Sequence, residues 1–184
     1  MKIKVASDIH FFGVDPVKDV EFDDLNGCIL LGDILDLKNV LPEFHENCKY
    51  LRDRYLDMCG IHYITGNHEC YSLNLHLHLP DVNGKRVDLI HGDIPLWGLS
   101  KAIGRRNVKG GCGRFLRFFK WIGSKYRNVV GCKLKDKEKR ELIKYCPDSD
   151  VIIIGHKHPK KIIDEIYNGV GLIVVPRGIT EIEI

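Results

Sequence analysis

Glutamine is absent from this 184-residue chain and methionine occurs twice, while isoleucine, lysine and glutamate are plentiful. That bias is seen in heat-adapted proteins. Long apolar runs are also missing. None approaches the roughly 18 residues a membrane helix needs, and Met1 leads directly into KIKVAS with no leader-like segment. The expectation is a soluble cytoplasmic domain. The seven cysteines are odd in number, scattered and never in a CxxC pair, which argues against a disulfide framework or zinc knuckle and for reduced thiols. What is present is ordinary globular usage: 44% hydrophobic and 29% charged residues exclude wholesale disorder and a coiled-coil rod. The length suits one domain, residues 1–184, able to bury roughly 70% of its unfolded surface.

The net charge of +3 hides a division. Residues 101–144 hold 15 Lys/Arg against 3 Asp/Glu, leaving 13 basic and 22 acidic residues elsewhere. Such asymmetry points to an anionic substrate or partner, or a membrane surface; a solvated basic helix is the plainer account.

Short apolar runs alternate with polar helical stretches. KIKVAS (2–7), CILL (28–31), IHYI (61–64), VDLI (87–90), VIII (151–154) and GLIVV (171–175) read as strands buried on both faces. Pro16–Asp24 and Pro42–Asp57 have helical spacing, each with proline at a first-turn position. Leu75, Leu77 and Leu79 alternate with His76 and His78 as in a half-buried strand, and Asn83-Gly84 supplies a hairpin turn. This is an α/β pattern. Residues 95–146 differ: Phe115, Phe118, Phe119, Ile122 and Tyr126 fall on one helical face among Arg and Lys, and KDKEKRELIKYC (135–146) is a further helix. The segment reads as a basic, aromatic helical insert or cap.

The strand ends carry the chemistry. Asp8-Ile9-His10 follows the first strand, Gly32-Asp33-Ile34-Leu35-Asp36 the second, Gly66-Asn67-His68-Glu69 the third, His91-Gly92-Asp93 a later one and Gly155-His156-Lys157-His158 the VIII run. Alone, an Asp or Asn after a strand is ordinarily a turn or cap. Five such ends converging at the carboxyl edge of a sheet would leave charges unpaired unless a cation sat among them. Carboxylate, imidazole and amide oxygen without thiolate suit Mn, Fe, Zn or Co, and seven candidate ligands are used fully by two ions sharing a carboxylate.

In this order, DxH, GDxxD, GNH(D/E), H and GHxH resemble the calcineurin-like metallophosphoesterase superfamily, over Met1 to about Gly92 and again from Val151 onward. The resemblance implies a four-layer α/β/β/α sandwich of two mixed sheets with a dinuclear centre at one rim. It implies Asp8, His10 and His158 on one ion, Asn67, His91 and His156 on the other, and Asp33 as bridge. It further implies His68 as catalytic histidine with Glu69 its orienting partner, and a metal-bridging hydroxide as the attacking group. Manganese is the first expectation, with Fe, Zn, Co and Ni as alternatives. Asp36 reads as an orienting residue or helix cap. Asp93 would orient His91 or touch substrate. Arg105, Arg106, Arg114 and Arg177 are candidate phosphate contacts. His45, His62, His76 and His78 belong to no motif and read as ordinary surface or strand residues.

From His91 to His156 the chain runs 65 positions and contains the insert. That arrangement is similar to the UDP-2,3-diacylglucosamine hydrolase branch, whose helical cap covers the metals, although that branch has Arg where His68 stands here. The expected function is hydrolysis of a phosphodiester or pyrophosphate bond in a small, nucleotide-linked or lipid-linked molecule. The alternatives are a nuclease that meets its substrate through the basic insert, or a non-catalytic scaffold of the same fold. Peripheral membrane or nucleic-acid contact through the insert is the expected partner interaction.

Overall fold

The computed structural model describes residues 1–13, 15–36, 63–69, 75–98 and 133–184. The expected helix at Pro42–Asp57, the aromatic face of the insert, and Arg105, Arg106 and Arg114 lie outside the described residues.

Among the described residues, nine strands form two mixed sheets. The first sheet has the order β3 (Tyr63–Ile64), β2 (Ile29–Leu31), β1 (Lys2–Ser7), β9 (Gly178–Glu183). The second runs β4 (His76–Val82), β5 (Lys85–Ile90), β6 (Val151–Ile154), β8 (Val170–Val174), β7 (Ile163–Tyr167). Strands β1–β2–β3 and β5–β6–β8 run parallel, while the edge strands β9, β4 and β7 pair antiparallel.

Alternation along the strands divides the apolar residues into layers. Val5 and Leu31 of the first sheet and Val87, Leu89, Val151 and Ile153 of the second meet in the cluster between the sheets. Their neighbours turn outward. Ala6 and Leu30 join Ile9, Ile34 and Leu35 on the far side of the first sheet, and Ile90, Ile152 and Ile154 pack with Leu142 and Cys146 on the far side of the second. Ile152, Ile153 and Ile154 are therefore all fully buried, each worth about 1.5–3 kcal/mol of transfer free energy. This two-sided burial is why the VIII run reads as continuously apolar.

Two short helices are described. α1 (Asp93–Trp97) follows β5 directly. α2 (Asp136–Tyr145) has Asp136 and Glu138 in its first turn and Lys144 in its last, the polarity its dipole favours. The Lys135 N–H donates to Glu138 Oε2 at 2.8 Å, which closes the N-terminus.

Pro16–Asp24 is not the expected helix. It is a loop ending in one 3₁₀ turn, Phe22–Leu25. The Val17 N–H is committed to the Ile9 carbonyl at 2.9 Å, and the Glu21 N–H to Asp24 Oδ2 at 2.8 Å, so the local bonds of a continuous helix do not form. Strands β7 and β9 were not expected. Both are edge strands whose apolar residues are interrupted by acids, Asp164 and Glu165 in β7 and Glu181 and Glu183 in β9, so neither makes an unbroken apolar run.

Candidate metal centre

The carboxyl ends of β1, β2 and β3 in one sheet and of β5 and β6 in the other open onto the same rim. Pairing continues past the strands. The Asp8, His10 and Phe11 amides donate to the carbonyls of Gly32, Asp33 and Ile34 at 3.0, 3.0 and 2.8 Å. This zips the DxH loop alongside the GDxxD loop. The second sheet is joined to the first where the His156 N–H donates to Asp8 Oδ2 at 2.8 Å.

The loops are strained where they present side chains. Asp8, His10, Asp33, His156 and His158 have φ of 53°, 59°, 52°, 66° and 50°, a left-handed region costing L-residues on the order of 1–2 kcal/mol each. Strain of this kind persists where surrounding bonds over-determine it, and it gathers at functional sites. The motif glycines leave room for the same loops. A Cβ on Gly66 would overlap the Asp33 carboxylate, and one on Gly155 would overlap the Ser7 hydroxyl.

Two ligand sets come together. Atoms of Asp8, His10 and His158 lie within 4.8 Å of one another, as do atoms of Asp8, Asp33, His91 and His156. His158 Nε2 is 2.8 Å from Asp8 Oδ1. His91 Nε2 is 3.3 Å from Asp33 Oδ2, 3.4 Å from Asn67 Oδ1 and 3.1 Å from His156 Nδ1. All seven expected ligands thus meet at the rim. Asp8 belongs to both sets by distance. Asp33, expected as the bridge, faces both electrostatically, since His91, His68 and His10 all act on it.

The charges are mutually dependent. Burial works to raise the Asp8 carboxyl, and the His158 and His91 imidazoles overcome it, holding it below the usual carboxylate range. Asp33 is held low by His91, His68 and His10 against the same burial. Burial alone would depress His91, but Asp33 and Asp8 hold it up at about 10. His156, buried beside His91, is pushed down to about 3. The donor set fits divalent cations: buried carboxylates and convergent imidazole nitrogens balance here through protonated His91, a role a bound cation would assume.

The surrounding residues fix orientation. His91 Nδ1 donates to the Leu31 carbonyl at 2.9 Å, which assigns Nε2 to the rim. The Ser7 hydroxyl donates to Asp8 Oδ2 at 2.5 Å. Asp93 is buried and adds negative charge near His91 and His156.

The partner of His68 is Asp36, not Glu69. His68 Nδ1 lies 2.8 Å from Asp36 Oδ1, and His10 Nδ1 is 3.6 Å from Asp36 Oδ2. Glu69 is instead a backbone clamp. Its Oε2 accepts from the Asp33 and Gly66 amides at 3.0 and 2.6 Å, and its Oε1 from Ile34 and Leu35 at 2.6 and 3.4 Å. Burial and the Asp33 charge push the Glu69 carboxyl up to about 7, with the amides opposing.

Arg177 braces the Asp8 loop, donating to the Asp8 carbonyl at 3.0 Å, to Asp15 Oδ2 at 2.9 Å and to the Asp15 carbonyl. Sequence reading missed Ser7, Trp97 and the Leu31 carbonyl. Trp97 meets the His156 ring edge-on at 4.5 Å. Ser7 could have been found by its place immediately before the first motif; a backbone carbonyl leaves no side-chain signal.

No family model matches the chain, and no curated protein matches it. Solved structures of similar shape include Vacuolar Protein Sorting 29 from Cryptosporidium parvum, 11% identical, covering 96% of this chain and 74% of that one with a TM-score of 0.49. A protein described as a 5'-nucleotidase from Staphylococcus aureus is 15% identical, covering 98% of this chain and 50% of that one at 0.43. A protein described as a phosphoesterase from Streptococcus pneumoniae is 14% identical, covering 99% and 83% at 0.41. None of these three is described as a UDP-2,3-diacylglucosamine hydrolase. Scores this low carry no argument of their own. The chain resembles the calcineurin-like metallophosphoesterase superfamily in the order of its strand-end motifs and in its two mixed sheets.

Proposed function

We propose that the chain is a metal-dependent phosphoesterase that hydrolyses a phosphodiester or pyrophosphate bond in a small anionic molecule. The observation that carries this reading is the convergence at one rim of two ligand sets that share Asp8, one of them containing Asp33. Two divalent ions, manganese first among them, would supply polarisation of phosphoryl oxygens and a water of lowered pKa. The protein's own part is to hold and orient. Asp8, His10 and His158 form one cradle; Asp33, Asn67, His91 and His156 form the other. Asp36 fixes the ring of His68 through Nδ1, leaving Nε2 as the atom that stabilises or protonates the departing oxygen. The His68 side chain is 26% exposed against 1% for His91, so a substrate can reach it.

The basic balance of residues 101–144 supports an anionic substrate. That segment is also the basis for proposing a cytoplasmic protein that contacts a membrane surface peripherally. The test is a hydrolysis screen with Mn²⁺ against bis-p-nitrophenyl phosphate, p-nitrophenyl phosphate, UDP-sugars, CDP-lipids and single-stranded DNA. Turnover of a small diester or pyrophosphate supports the reading. Turnover of DNA alone would make the chain a nuclease, and none with any substrate under Mn²⁺, Fe²⁺, Zn²⁺ or Co²⁺ would make it a scaffold.

A further inference from the structure

The outer face of the second sheet carries a different cluster. In β5, Val87 and Leu89 face the layer between the sheets, and Ile90 faces outward. Asp88 shares the face of Ile90 by the two-residue period of a strand. His78 pairs in register with Asp88 and His76 with Ile90, which places both imidazoles above the Asp88 carboxylate. His78 Nδ1 is 2.9 Å from Asp88 Oδ1, and His76 Nε2 approaches the same oxygen more closely. Ser149 donates to Oδ2. The three ligating atoms lie within 4.8 Å of one another.

The Asp88 side chain is 5% exposed, while those of His76 and His78 are 36% and 45% exposed. A buried carboxylate, locked on one oxygen by a hydroxyl, therefore presents the other between two open imidazoles. A cavity of about 330 Å³ lies over them, lined also by Tyr145, Cys146 and Pro147. Arg86, which also lines the cavity, is drawn aside by Asp150 and Asp148 at 3.7 and 4.0 Å. Cys146 lines the cavity but offers no atom to the convergent group, so the donor set is two nitrogens and one oxygen.

We propose that His76, His78 and Asp88 form a separate binding site for a zinc-class divalent ion, with the fourth position open to the cavity. Two imidazoles and a carboxylate suit Zn²⁺, Co²⁺ or Ni²⁺ rather than Mg²⁺. Ser149 is a positioning residue that orients the carboxylate. The ion ties edge strand β4 to β5 and, through Ser149, to the turn after α2. The site does not depend on the phosphoesterase reading.

Its test is site-resolved. Diethyl pyrocarbonate modification of the whole protein, read by peptide mass spectrometry, reports each histidine separately. One equivalent of Zn²⁺ beyond saturation of the rim should slow modification of His76 and His78 together by tenfold or more, and Mg²⁺ should not. Unchanged rates on the two residues would overturn the site. Asp88→Asn and Ser149→Ala distinguish a built site from a simple pair of surface histidines. Ser149→Ala should weaken Zn²⁺ protection by roughly 10- to 100-fold, and Asp88→Asn by at least as much. Wild-type Zn²⁺ affinity in both variants would reduce the feature to two exposed imidazoles and sink the proposal. Protection in the unmodified chain decides the first question even if a variant does not fold.

Discussion

Two regions of this chain gather histidines around aspartate, and they are built in opposite ways. At the rim, five loop residues adopt left-handed backbone and seven ligand candidates from five strand ends converge on buried carboxylates. On the outer face of the second sheet, His76, His78 and Asp88 sit in regular paired strands, and the two imidazoles stay exposed. The rim is pre-formed by strain and by close backbone approach. The face costs no strain, because cross-strand register alone brings the side chains together. A site whose loops are held out of their preferred geometry is coupled to the fold, whereas one laid on a strand pair can be removed with little consequence elsewhere.

The largest effect should come from striking the rim at its centre. Asp33→Asn should lower divalent-ion occupancy in both ligand sets, because imidazoles of both act on that carboxylate. Elemental analysis finding two fully bound ions in the variant would break the bridging assignment. His68→Ala should keep its ions and lose turnover by roughly 10²–10⁴-fold, the usual worth of a positioned acid–base group. Wild-type rate on a diester with a poor leaving group would remove His68 from the chemistry.

Glu69 sharpens the line between chemistry and scaffold. Glu69→Gln should destabilise the fold by about 2–4 kcal/mol, since each unsatisfied buried amide costs roughly 1–3 kcal/mol. Both carboxylate oxygens face N–H donors, so either rotamer of the amide turns its NH₂ towards them. Denaturant unfolding measures this, and an unchanged midpoint would deny the clamp.

The smallest effect concerns Lys157, whose Nζ lies 2.7 Å from Glu138 Oε1. The Glu138 carboxyl, which burial would raise, is brought below its ordinary value by Lys157 and the Lys135 amide. A depressed carboxyl stabilises above its unfolded pKa, near 4.5, and loses that contribution as pH falls through the lower folded value. Lys157→Met should therefore cost at most about 1 kcal/mol at pH 7. The difference from wild type should shrink as pH falls below 4.5 and through the lower folded value. A gap that persists in acid would mean the loss is packing and not charge.

How far the fold was legible depended on where a strand sits. Central strands such as β6 are covered on both faces and announce themselves as VIII; β4 announced itself by its alternating leucines. The acid-interrupted runs of β7 and β9 gave no such signal, because one face of each meets water. The rim was readable because each ligand follows a strand end and the motifs recur in order. Asp36 was read as an orienting residue or helix cap without being assigned to His68, since adjacency in sequence made Glu69 the obvious partner. Carboxylates 32 and 36 positions from the ring and the amide they serve leave no local trace. His76 and His78 were passed over for the converse reason: their spacing was already explained by the strand that carries them.

Trp97 at the end of α1 rests on the His156 ring, and Glu138 in the first turn of α2 holds Lys157. Both ends of the basic insert are thus moored to adjacent residues of one loop. A change at either contact therefore reaches the rim by its own route, through the ring of His156 or through the side chain beside it.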